Sequence, residues 1–148
     1  MCRWNLRDDG RLTVRVAALA APMPHLFLFL GALNGLVAVA AGAYGRHGPF
    51  DDYGREMFAI ASQYELTHAL ALIAVAWVTS RPESCRRLAL VAGTAFALGI
   101  VLFSGTLYWF GITRDLPFTG AAPTGGFLLM AGWLALMAEA ARGFFRRH

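Results

Sequence analysis

The chain has no lysine: all 13 of its basic residues are arginine. A phosphate loop ending in Lys-Ser or Lys-Thr is therefore excluded, and no serine nucleophile elbow is present. Cysteine is almost as scarce. Cys2 and Cys85 form no metal-type spacing, so no cysteine-built metal centre is expected and both thiols are expected to be free. Charge is thin as well, at 15% of 148 residues against roughly a quarter in soluble domains, while 57% of the residues are hydrophobic. An ordinary soluble domain is excluded. The net charge of +4 does not indicate a nucleic-acid partner, because a binding footprint needs charge gathered on one face, and these arginines bracket apolar stretches instead.

What is there is four such stretches. Leu26 to Tyr44 carries no charge and approaches the ~20 residues that a helix needs to cross a hydrocarbon core of about 30 Å. Gly31, Gly35, Ala38, Gly42 and Gly45 recur along it at steps of three and four, a small-residue face that lets another backbone approach closely. Gly45 to Phe50 reads as a turn, and Asp51 or Asp52 as the N-cap of a helix running to Thr79, with Glu56 favourable near its first turn. That helix outreaches the bilayer core, so the span proper is 60–79 and the first turns lie in the interface. Ser80 to Arg87 is a short polar connection. A third span covers 88–112, punctuated by Gly93, Gly99 and Gly105, the last of these a helix-packing position, and ending in the interfacial aromatics Tyr108 and Trp109. Pro123 suits the first turn of a fourth helix, whose span is 123–141 and whose packing glycines are Gly125 and Gly126. The expected architecture is all-α: a single membrane domain over 23–148 with spans 26–44, 60–79, 88–112 and 123–141.

Arginine placement orients it. Residues 3, 7, 11, 15, 81, 86, 87, 142, 146 and 147 fall on one side, and Arg46, Arg55 and Arg114 on the other. By the positive-inside rule both termini face the cytoplasm (N-in, C-in). Residues 1–22 form a basic tail whose Arg15 leaves too short an apolar core for a secretory signal, so no cleavage is expected. Met23, just before the first span, is read as an alternative translation start, with the tail then a misassigned extension.

Polar residues inside spans are the candidates for function. Glu65 and His68, spaced i, i+3, share a helix face where a hydrogen-bonded pair can form, and they are read as neutral or mutually satisfied glue within the bundle, with part of a proton or ion path as the alternative. Tyr64 lies beside them. Asn34 is expected to bond to a neighbouring helix, Ser104 to be a packing hydroxyl, and Glu139 to pair with Arg142 one turn on. Arg46 and His47 cap and anchor the first span, with an anionic lipid headgroup as the alternative contact. Haem between facing histidines is not expected, since His25 and His47 fall at opposite ends of one span, His148 is terminal and only His68 is deep.

Several segments resemble one family: Gly42-Ala43-Tyr44-Gly45-Arg46-His47-Gly48; Tyr64 with His68-Ala69-Leu70-Ala71-Leu72; Leu102-Phe103-Ser104-Gly105-Thr106-Leu107-Tyr108; Pro123-Thr124-Gly125-Gly126 with Gly132-Trp133. Over about 26–141 the chain is similar to the small membrane proteins of domain of unknown function 423, related to transmembrane protein 256. The resemblance implies four membrane helices and a bacterial inner-membrane location, and no activity. His47, His68, Ser104 and Tyr108 match the pattern. Arg46, Glu65 and Ala122 depart from it, standing where a small residue, Gln and Thr are usual, so the resemblance does not make a carboxylate at 65 essential. The functional expectation is a non-enzymatic membrane component, without cofactor or metal, that assists or stabilises other membrane proteins. The alternative is a small transporter or ion-path protein using Glu65 and His68. The partners expected are the lipid bilayer, other membrane proteins or further copies of the chain, and no nucleic acid.

Overall fold

The computed structural model describes residues 5–6, 12–13, 23–82, 84–116 and 118–145. The tail reading of 1–22, with Cys2 and Arg3, Arg7, Arg11 and Arg15, lies outside the described residues, as do Arg146, Arg147 and His148. Within that tail only a two-residue antiparallel ladder is described, β1 (Asn5–Leu6) with β2 (Leu12–Thr13).

Four helices make up the rest: α1 (Met23–His47), α2 (Asp52–Thr79), α3 (Arg86–Thr113) and α4 (Ala121–Phe145). Each is long and apolar enough to cross a membrane, and each contains the span expected from sequence. Local chemistry sets the ends. Asp51, in extended conformation, caps α2 by accepting the N–H of Gly54 at 2.8 Å, which settles the choice between the two aspartates. Arg114 ends α3 in the left-handed region at φ 65°, its N–H returning to the carbonyl of Phe110. Gly120, at φ 90°, turns the chain into α4 without the strain a Cβ would bring there. Pro123 is the third residue of α4, where a missing N–H breaks no intrahelical bond.

Sequential helices pack antiparallel, as the contacts at their glycines show. A Cβ on Gly31 would meet Ile73 and Ala69, and one on Gly45 would meet Phe58, which joins α1 to α2. Gly111 lies against Phe58 and Gly54, joining α2 to α3, and Gly99, Gly125 and Gly132 lie against Leu129, Phe103 and Phe96, joining α3 to α4. The core gathers Leu72, Val75, Phe96, Ile100 and Leu129, with Phe27 of α1 closing it by laying its ring on Gly93 of α3. Lipid tails are as apolar as leucine, so close packing and polar bonds, more than apolar burial, hold such a bundle together. The outward residues of α1, among them Phe29, Leu36 and Val39, are exposed accordingly.

Three expected packing positions do not pack. Among the described residues nothing lies within 4 Å of a Cβ built on Gly35 or Gly105, and Gly126 makes only an ordinary contact at 3.9 Å. The seam of α1 is Phe27, Gly31, Ala38 and Gly45. At 100° per residue Gly35 is turned about 40° from Gly31, away from Ala38 and Gly45, which fall on the other side of it.

Candidate functional site

The middle of the bundle holds a polar tier. Side chains on a helix lean towards its N-terminus, so Glu65 on α2 and Tyr108 on antiparallel α3 lean towards each other. The Tyr108 hydroxyl donates to Oε2 of Glu65 at 2.7 Å. One turn along α3, the Ser104 hydroxyl donates to the Ala61 carbonyl of α2 at 3.0 Å. Glu65 is 4% exposed and Ser104 1%. Both bonds cross from α3 to α2.

His68, 5% exposed, turns to α4. The indole N–H of Trp133 donates to its Nε2 at 3.1 Å, and its Nδ1 lies 2.6 Å from the Tyr64 carbonyl. An Nε2 that accepts carries no proton, so Nδ1 bears the hydrogen and donates it to Tyr64. The two contacts together fix one tautomer of a neutral imidazole. Aromatic rings wall it in: Tyr64 stacks at 6.0 Å, and Phe96 lies 5.6 Å from His68 and 5.3 Å from Trp133. Gly132 makes room for Phe96, since a Cβ there would fall 2.6 Å from the ring.

Of the residues singled out from sequence, Glu65, Tyr108 and Ser104 gather on the α2–α3 seam, and Tyr64 and His68 beside it. Glu65 and His68 do not form the pair that their spacing allows. Each finds its partner on a different helix, because i, i+3 places them on one side of α2 but facing different neighbours. Asn34 is also corrected: its amide donates back to the Leu30 carbonyl of its own helix at 2.8 Å. His47 is exposed at the last turn of α1.

At the ends of the bundle, tertiary capping takes the place of local pairing. Glu139 forms no ion pair with Arg142 among the described residues. Its Oε1 accepts the backbone N–H of Cys85 at 2.7 Å and so caps α3 from α4. The Leu88 N–H, turned towards the Cys85 thiol, holds it below its ordinary pKa, partial desolvation opposes this and the Arg142 guanidinium reinforces it. At the other end Asp51 pairs with Arg114, which also lies over the Tyr53 ring at 5.2 Å. Trp133, Asp51 with Arg114, and Glu139 with Cys85 were missed as partners from sequence. Trp133 stood in a recognisable motif, but nothing in the spacing tied it to His68.

Residues 41–126 match the family described as Protein of unknown function (DUF423). The chain belongs to that family. This DUF423 chain is 34% identical over 115 residues to a UPF0382 membrane protein of Staphylococcus epidermidis, covering 76% of the chain and 92% of the relative. It is 32% identical over 120 residues to the UPF0382 membrane protein YwdK of Bacillus subtilis, covering 79% and 97%. A UPF0382 membrane protein of Haemophilus influenzae is 31% identical over 117 residues, covering 77% and 92%. No solved structure matches. With four helices able to span, the DUF423 chain is a multi-pass protein of the bacterial inner (plasma) membrane. The matched segment contains Glu65, His68, Ser104 and Tyr108 and ends before Trp133.

Proposed function

We infer that the protein is a non-enzymatic membrane component that assists or stabilises other membrane proteins, inserted N-in and C-in. The observation that carries this reading is how the polar tier is used: Glu65, Ser104 and His68 each join α2 to another helix. Glycines left open on the outer surface, Gly35 and Gly105, offer backbone to a neighbouring helix. Purification of the full chain from native membranes in mild detergent should yield a stoichiometric membrane-protein partner. Gly35→Leu should release that partner while the thermal stability of the chain is unchanged. A chain that purifies with nothing bound, or a partner indifferent to Gly35→Leu, overturns the reading.

Arginine asymmetry supports the orientation, since Arg81, Arg86, Arg87 and Arg142 cluster at the end bearing Met23 and Phe145. In a Cys2→Ser chain, a membrane-impermeant maleimide should label Cys85 in inverted vesicles and not in intact cells. The reverse pattern refutes N-in.

One observation favours a second reading, a small proton or ion path: a buried carboxyl group within the second span, with the Tyr108 hydroxyl donating to it. Reconstituted vesicles should then show pH-dependent flux that Glu65→Gln alters. Unchanged flux removes Glu65 from any such role.

A further inference from the structure

The end of the bundle that joins α2 to α3 holds a feature outside the polar tier. A cavity of about 800 Å³ lies there, lined among others by Trp77, Val78, Arg81, Leu136, Glu139 and Phe144. The two oxygens of Glu139 fare differently. Oε1 caps α3 through the Cys85 N–H, whereas Oε2 is buried and has no hydrogen-bond partner among the described residues. A carboxylate oxygen can only accept, and a buried acceptor left unsatisfied is unfavourable. The matching ligand must bring a donor.

The surroundings say which donor. Val78 and Gly143 belong to the last turns of α2 and α4, where the helix dipole is negative and favours cations. Trp77 presents an indole face over which the Arg81 guanidinium already lies, 4.5 Å from the ring centre. A cationic N–H group suits Oε2. The same end carries Arg81, Arg86, Arg87 and Arg142, which suit a phosphate. They also set the depth, because arginines at helix ends reach headgroup level and Trp77 belongs to the interfacial belt. Leu136 and the exposed Phe144 continue the cavity wall along α4 as an apolar surface.

An ammonium and a phosphate a few bonds apart on an apolar tail describe one class of molecule. We propose that this cavity binds a primary-amine phospholipid of the ethanolamine class, the ammonium donating to Oε2 of Glu139 and the phosphate meeting the arginines. The site is independent of the partner-binding reading above, and its test does not involve the glycine faces.

The test is native mass spectrometry of the full chain in mild detergent with equimolar dioleoyl phosphatidylethanolamine, phosphatidylcholine and phosphatidylglycerol. A trimethylammonium head has the charge but no N–H, so the ethanolamine lipid should be retained about tenfold over the choline lipid. Glu139→Gln keeps a carbonyl for the Cys85 N–H but turns an NH₂ into the cavity, so it should abolish that preference without loss of thermal stability. Equal retention of the ethanolamine and choline lipids by the wild-type chain overturns the proposal, and that comparison needs no variant to fold. So does a preference that survives Glu139→Gln, or preferential retention of the glycerol lipid, which would assign this end to anionic lipid alone.

Discussion

At the residue scale, His68 shows how a neutral hydrogen-bonding group can be stable inside a membrane. Both ring nitrogens are used, one as donor to Tyr64 and one as acceptor from Trp133, and an aromatic wall excludes other partners. Trp133→Phe keeps the wall and removes the N–H, leaving Nε2 without its donor. Interhelical hydrogen bonds in membranes contribute about 0.6–2 kcal/mol, and thermal unfolding in detergent should show a loss of that order. Tyr108→Phe, which removes the bond to Glu65, should show a similar one. The sequence identifies Glu65, His68 and Ser104 as polar groups inside spans, because a polar residue in an apolar run stands out by composition, whereas Tyr108 stands out only as an interfacial aromatic and as part of the family motif. Their partners were not legible. Partner choice depends on the rotation of each helix about its axis and on its level against its neighbours, and a single sequence records neither for contacts 43 and 65 residues apart.

At the element scale, glycine contacts divide into two kinds. A Cβ on Gly125 would meet backbone of α3, Phe103 N at 2.5 Å and Leu102 C at 2.9 Å, which no rotamer change relieves. Gly125→Ala must part α3 from α4 and should destabilise the protein by about 1–3 kcal/mol. Gly105→Ala should do the opposite. It meets nothing among the described residues, and replacing glycine by alanine in a helix is favourable by roughly 0.5–1 kcal/mol. Paired melting curves of the two variants check the contrast. The small-residue stripe on α1 was legible as a packing face because its spacing is helical. Which member falls off the seam was not, since steps of three and four all stay within one broad face, and only the neighbouring helix decides where its edge lies.

At the scale of the whole molecule, four spans were legible from apolar run length and the breaks between them from proline, glycine and charge. The ties between loops and distant elements were not, because Asp51 and Arg114 come from two different connections and Cys85 is tied to Glu139 of α4. Asp51 both caps α2 and holds the end of α3. Asp51→Ala removes both functions and should lower stability by about 1–2 kcal/mol, with Arg114→Ala, which spares the cap, losing less. Thermal unfolding of the two variants separates cap from tie. The order of the helices has a further effect during synthesis. When α2 leaves the ribosome, the hydroxyl that satisfies Glu65 is still 43 residues away and the indole that satisfies His68 is 65 residues away. At about 5–20 residues per second, His68 waits some 3–13 s for its donor. A nascent chain halted before α4 therefore displays an unmet acceptor within the lipid, a chemical mark by which an insertase or membrane protease can tell an unfinished copy from a complete one.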